Sequence, residues 1–245
     1  MDNDEPLMTI VIPAYNEESR LPATLQAVGR YLDGKSFAFA EIVAVDDGSR
    51  DGSAAVVEKH ALSDPRIRLL KNPGNRGKGY AVRHGMQEAR GEWVLFSDAD
   101  LSAPIEELDR LQEAIAFASA DGAIGSRALN RKLVGKRQSA FREFSGRVFN
   151  LAMRLVTGLP YRDTQCGFKI FRRDVAQSLA AAQQSDGFGF DVEILYIAKK
   201  RRYRIIEVPV RWFNVEGTKV SLWNGLAAFA DPLRVRWNDI KGLYR

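Results

Sequence analysis

Short apolar runs punctuate the first half of the chain: MTIVIP at 8–13, EIVAVDD at 41–47, IRLLKN at 67–72, WVLFSD at 93–98 and GAIGSR at 122–127. Runs this short, each followed by turn-forming residues, predict strands covered on both faces. Between them, RLPATLQAVGRYL (20–32) and GYAVRHGMQEA (79–89) repeat apolar residues at helical spacing. Strand and helix in alternation predict an α/β fold with a mostly parallel central sheet and helices on both faces. After residue 127 the pattern changes. SAFREFSGRVFNLAMRLV (139–156) spaces Phe141, Phe144, Val148, Leu151 and Leu155 as a helix with interleaved basic residues. A loop and strand are expected in DTQCGFKIF, a helix in GFGFDVEILYIAKKRR and a strand in YRIIEVPVRW. The tail from Ser221, with Leu222, Trp223, Leu226, Phe229, Leu233, Trp237 and Ile240, reads as an amphipathic helix, either packed on the core or lying at a membrane interface. No repeat or flexible linker interrupts the pattern, so residues 1–245 are expected to form a single domain: a half at 8–127, then a basic helical C-terminal elaboration at 128–245.

Composition adds limits. Hydrophobic residues at 45% and charged residues at 27% are ordinary for a soluble globular chain and argue against disorder. The start, MDNDEPLMTIVIP, is acidic with a brief apolar run, and no segment approaches the ~20 apolar residues of a spanning helix. Neither a secretory signal nor a transmembrane span is therefore expected. The lone Cys166 excludes an internal disulfide and fits a cytoplasmic location. The net charge of +5 is concentrated between Arg127 and Arg147, which a solvated face, a phosphate-rich ligand, nucleic acid or an anionic membrane would each explain.

The polar residues gather where the strands end. The loops are PAYNEE after the first, DDGSRDGS after the second, NPGNRGKGYA after the third and DADLSAP after the fourth. In open α/β sheets ligands lie at the carboxyl ends of strands, so one ligand can meet all four loops. Tyr15 offers a ring and Glu17 a carboxylate, while Asp46 and Asp47 can accept hydrogen bonds from a base or a ribose. Asp51 or Ser49 is expected to cap the following helix. The glycine loop around Lys78 has the look of a phosphate cradle without the full spacing of the known ones. Asp98 and Asp100 are hard oxygen ligands separated by one residue, suited to Mg2+ or Mn2+; alternatively Asp100 caps the helix begun at Pro104. His60 and His84 fall on expected helices in surface or packing roles, and Cys166 reads as a small packed residue.

VIPAYNEE, VDDGSRDGS, NRGKGYAVRHG and DADLSAP, in this order, resemble the family 2 inverting glycosyltransferases of the GT-A fold. In the second half, GSRA, RDTQCGFKIF, GFDVEILYIA, VPVRW and EGTK are similar to dolichyl-phosphate β-glucosyltransferases, whose neighbours are the dolichyl-phosphate mannose synthases. The resemblance covers roughly residues 8 to 225.

This resemblance implies a nucleotide-sugar donor held by Pro13, Tyr15, Glu17, Asp46, Asp47 and Lys78. It assigns Asp98 to the sugar nucleotide and Asp100 to direct metal ligation, with Mg2+ or Mn2+ as cofactor. The acceptor it implies is a polyprenyl phosphate, dolichyl or undecaprenyl, with Arg127, Arg142, Lys169 and Lys219 as candidates for its phosphate. Asp163 is either a positioning residue or, for a hydroxyl acceptor, a general base. UDP-glucose is the first donor expected and GDP-mannose the alternative. Transfer to a sugar hydroxyl and a non-catalytic nucleic-acid-binding module are the competing readings. No nucleic-acid motif accompanies the basic stretch, so nucleic acid is not an expected partner. Reaching a lipid acceptor implies peripheral association with the cytoplasmic face of a membrane.

Overall fold

Each of the apolar runs becomes a strand whose alternate side chains enter two different cores. The computed structural model describes residues 7–133, 135, 153–213 and 231–244. In chain order the elements are β1 (Leu7–Ala14), α1 (Leu21–Asp33), β2 (Phe39–Asp46), α2 (Ser53–Ala61), β3 (Ile67–Lys71), α3 (Lys78–Glu88), β4 (Trp93–Ser97), α4 (Glu107–Ala118), β5 (Gly122–Ser126), β6 (Phe168–Arg172), α5 (Arg173–Ala182), α6 (Phe190–Lys200), β7 (Ile205–Pro209) and α7 (Asp231–Ile240). On one face Val11, Val45, Phe96 and Phe171 pack with α3, α5 and α6; on the other Ile10, Ile42, Leu95 and Ile170 pack with α1 and α4. Helices on both faces are thus observed as expected.

The strands form one sheet in the order β3-β2-β1-β4-β6-β5-β7. Pairing is parallel from β3 to β4, with Ile10 opposite both Ile42 and Leu95. β5 and β7 are also parallel, Ile124 meeting Glu207. Among the described strands β6 alone runs the other way, antiparallel to β4 and β5, with Ile170 opposite Leu95 and Ala123. The chain leaves β1 towards one side of the sheet and returns through α3 to β4 on the other, so a crevice opens between the ends of β1 and β4.

α7 buries Pro232 and Val235 but leaves Leu233, Trp237 and Ile240 exposed. Its following turn brings Tyr244 inside, where the hydroxyl donates to Glu193 Oε1 at 2.6 Å. The helix expected over Phe141–Leu155 lies mostly outside the described residues, as do Trp223 and Phe229 of the tail. Among the described residues no helix is long and apolar enough to cross a membrane.

Candidate active site

Ala14 and Asp46 are partners in the β1–β2 register, so the first two loops leave the sheet side by side. They are stitched together. The Asn16 amide donates to Ser49 Oγ at 2.9 Å, the Glu17 amide to Ser53 Oγ at 2.8 Å, and the Arg50 amide to Asn16 Oδ1 at 2.8 Å. Asp51 Oδ1 accepts the Ser53 amide at 3.0 Å just before α2, but Gly52 occupies the cap position without a side-chain cap, so neither Asp51 nor Ser49 is the N-cap that was expected. Gly48 has φ +71°, and a Cβ there would fall 2.4 Å from the Gly74 carbonyl carbon, so only glycine lets the second and third loops touch.

Asp47 points into the third loop. Its carboxylate accepts Asn72 Nδ2 and the Gly77 amide, both at 2.7 Å, and the Arg76 amide at 3.1 Å. Only 3% exposed, it shapes the loop from below, which corrects the expectation that it contacts the donor directly. Asp46 is also buried, at the strand end, and accepts the Ser49 amide at 3.3 Å. Tyr15 and Glu17 remain partly exposed at the rim, with Glu17 paired to Arg20 at 3.1 Å.

The third loop delivers Lys78 as the first residue of α3. Its Nζ lies 2.6 Å from Asp98 Oδ1. Burial works against the ammonium, but the fields of Asp98 and Asp191 outweigh it and hold the Lys78 pKa above the ordinary lysine value. Backbone N–H groups at the start of α3 and this cation together form a setting for phosphate oxygens.

The fourth loop turns at Leu101, whose φ is +45°. The Asp98 amide donates to the Gly167 carbonyl at 3.1 Å, and Asp100 Oδ1 accepts the Ser102 amide at 2.9 Å. α4 starts only at Glu107, so Asp100 does not cap it. Asp98 is wedged between Lys78 and Gly167, where a Cβ would come within 2.2 Å of Asp98 Oδ2. The described residues contain no group of three or more His, Cys, Asp or Glu placed to hold a metal. Two neighbouring carboxylates fit Mg2+ or Mn2+ when diphosphate and water oxygens complete the coordination, the usual arrangement where such ions accompany phosphates.

Beyond the fourth loop, β5 ends at Ser126 and releases Arg127. The Arg127 guanidinium bonds Asp163 through Nε at 2.7 Å and Nη2 at 2.8 Å, and its amide adds a third bond at 3.0 Å. The same guanidinium stacks over Trp212, 4.9 Å from the ring centre. Burial tends to raise the Asp163 pKa, yet Arg127 more than offsets this and holds it below the ordinary value. A depressed, fully engaged carboxylate is a poor proton acceptor, which favours the positioning role for Asp163.

Lys169 departs from expectation. It is completely buried in β6, bonded to Asp191 and to the Cys166 carbonyl at 2.7 Å. A phosphate at the surface cannot reach it, so it is removed from the acceptor-contacting set. Cys166 is buried as expected, and burial pushes its thiol up to about 12. His60 and His84 lie on α2 and α3, their Nδ1 atoms 2.8 Å from Val56 O and Asn72 Oδ1. Arg142 and Lys219 lie outside the described residues. Asp191, Gly167 and Trp212 were missed individually, although all three fall inside strings already singled out: GFDVEILYIA, RDTQCGFKIF and VPVRW.

Residues 9–180 match the family described as "Glycosyl transferase family 2". The chain is 36% identical over 254 residues to the dolichyl-phosphate beta-glucosyltransferase of Drosophila melanogaster, covering 97% of this chain and 77% of that protein. It is 34% identical to the enzyme of that name from Saccharomyces cerevisiae, covering 100% and 78%. Among solved structures, mannosyl-3-phosphoglycerate synthase from Rubrobacter xylanophilus superposes with a TM-score of 0.68 at 15% identity, covering 97% of this chain and 75% of that one. Glucosyl-3-phosphoglycerate synthase from Mycobacterium tuberculosis, in complex with Mn2+, uridine-diphosphate and phosphoglyceric acid, gives 0.66 at 17% identity, covering 95% and 78%.

Proposed function

Because this chain belongs to glycosyl transferase family 2, we propose that it moves glucose from UDP-glucose onto a polyprenyl phosphate, giving a β-linked lipid phosphosugar. The observation that carries the reading is the meeting of Lys78, Asp98 and Asp100 at the N-terminus of α3, with Arg127 at the end of β5. That the relatives over nearly the whole chain are named for dolichyl phosphate supports the acceptor class.

In this reading residues 8–127 hold the donor and 128–245 the acceptor. Pro13, Tyr15, Glu17 and Asp46 line the nucleoside side, while Asp47 fixes the loop beneath. Asp98 and Asp100 would hold Mg2+ or Mn2+, which supplies charge neutralisation at the departing diphosphate. Lys78 gives a second positive charge at the same place. Arg127, kept in orientation by Asp163 and Trp212, presents its guanidinium to the acceptor phosphate. That phosphate already carries the attacking negative charge, so no strong base is needed. Attack on the sugar face opposite the diphosphate inverts the anomeric carbon.

A lipid acceptor calls for contact with a membrane. The exposed Leu233, Trp237 and Ile240 of α7, with Lys241 Nζ 5.3 Å from the centre of the Trp237 ring, support peripheral association with a membrane, which this reading assigns to the cytoplasmic face. The test is transfer of radiolabel from UDP-glucose and, in parallel, GDP-mannose into extractable polyprenyl-phosphate lipid, with Mg2+ or Mn2+ and with chelator. Chelator-sensitive label from UDP-glucose is expected. Label from GDP-mannose alone would replace the donor, and label appearing only in soluble glycans would replace the acceptor.

A further inference from the structure

Charges of alternating sign run inward from the carboxyl edge of the sheet. Asp98 is bonded by Lys78, whose ammonium also feels the field of Asp191; Asp191 is bonded in turn by the wholly buried Lys169. The backbone that carries Lys78 is fixed. The Tyr80 amide donates to the Asp186 carbonyl at 3.1 Å, and a Cβ on Gly77 would come within 2.4 Å of that same oxygen. The lysine stem is long and rotatable, so its ammonium can move while α3 stays in place.

An ammonium and a hard divalent cation compete for the same carboxylate oxygens. With Lys78 at 2.6 Å from Oδ1, and Oδ2 turned against Gly167, the Asp98 carboxylate is already matched by one positive charge. Asp100 also gives one oxygen to the Ser102 amide. We propose that Lys78 is the resident counter-ion of Asp98 in the donor-free protein and keeps the divalent cation off that carboxylate until a diphosphate draws the ammonium away. Asp191 is the buried anion that holds Lys78 near the site in both positions. Cation and donor then bind interdependently: neither is held well without the other. This inference rests on the nucleotide-sugar reading above.

The experiment is titration of Mn2+ followed by electron paramagnetic resonance, without donor and with UDP. It uses the wild type, Lys78→Met, Asp98→Asn and the double variant, with folding checked by circular dichroism. Without UDP, Lys78→Met is expected to bind Mn2+ about tenfold more tightly or better, since a neighbouring positive charge has been removed from a partly shielded site. Asp98→Asn is expected to weaken donor-free binding less in the wild type than in Lys78→Met, because in the wild type the ammonium already occupies that carboxylate. A purely long-range effect of Lys78 would not give this split. UDP is expected to tighten Mn2+ binding more in the wild type than in Lys78→Met.

Equal or weaker donor-free binding by Lys78→Met overturns the proposal. So does an equal loss from Asp98→Asn in both backgrounds, which would mean that ammonium and cation share the carboxylate. If the wild type binds UDP with Mn2+ yet fails these comparisons, only the counter-ion role falls. If it binds no UDP with Mn2+, the donor reading falls too. Lys78→Gln serves the same comparison should Lys78→Met fail to fold.

Discussion

Replacing Asp163 by asparagine separates the two roles open to this carboxylate. Asp163 is 1% exposed and receives three N–H bonds from Arg127, at 2.7, 2.8 and 3.0 Å. Asparagine keeps the shape, but it removes the negative charge and turns an amide NH2 towards the guanidinium. Losing one partner of a buried ion pair costs about 3–5 kcal/mol, because the other charge is left without its match. The Arg127 side chain keeps 34% exposure, so water can recover part of its solvation, and the lower end of the range, about 3 kcal/mol, applies. For a domain of this size that corresponds to a fall in melting temperature of about 6–12 °C. The pH dependence follows from the direction of the shift. With its folded pKa depressed below the ordinary 3.8, Asp163 contributes fully above that value and loses its contribution as pH falls through the lower folded pKa. Calorimetric melts of wild type and Asp163→Asn are therefore expected to differ at neutral pH and to converge in the acid range below 3.8. An unchanged melting temperature with transfer abolished would refute the positioning role and restore the general base.

Three further outcomes follow from the same geometry. Gly167→Ala places a methyl group 2.2 Å from Asp98 Oδ2 and must move that carboxylate, so transfer is expected to fall about 100-fold with the circular dichroism spectrum retained. Lys169→Met leaves Asp191 buried without its nearest cation and is expected to cost about 3–5 kcal/mol in denaturant melts. Because Lys169 does not reach the surface, any folded fraction of that variant should keep the wild-type KM for the acceptor lipid. Cys166, buried with its thiol pushed up to about 12, is expected to react with a thiol reagent at mildly alkaline pH only after denaturant is added.

Periodicity in the sequence was enough to locate β1 to β5, α1, α3 and α6, since each apolar run or stripe has one structural solution when helices cover both sheet faces. The direction of β6 was not readable. FKIFR is an apolar run with a lysine inside, and nothing in so short a run distinguishes parallel from antiparallel pairing. The misplacement of Lys169 has the same origin. Phe168 and Ile170 enter one core while Phe171 enters the other, on the side where Lys169 lies 5.1 Å from the centre of the Phe96 ring. A lysine in the middle of a strand covered on both sides has no solvent face to choose. Its burial then requires an anion, and Asp191 is supplied from the first turn of α6, where the helix dipole favours negative charge. Asp47 was misjudged for a related reason: a carboxylate at a strand end can face a ligand or the amides of the next loop, and only the fold decides which.

In the proposed function, the reversal of β6 is what lets the donor edge serve a second substrate as well. In a wholly parallel sheet, residues preceding a strand lie at the edge opposite the ligand crevice. Because β6 runs backwards, its first residue, Phe168, pairs with Ser97 at the carboxyl end of β4, and the loop before it arrives at the ligand edge. That loop carries Asp163 and Gly167. β5, antiparallel to β6, ends at the same edge and delivers Arg127 to meet Asp163. One strand direction thus brings Gly167 against Asp98, on the proposed donor side, and Asp163 to Arg127, on the proposed acceptor side, although these residues are separated by 36 to 69 positions in the chain. A substitution that shifts β6 in register by one residue would separate both pairs together.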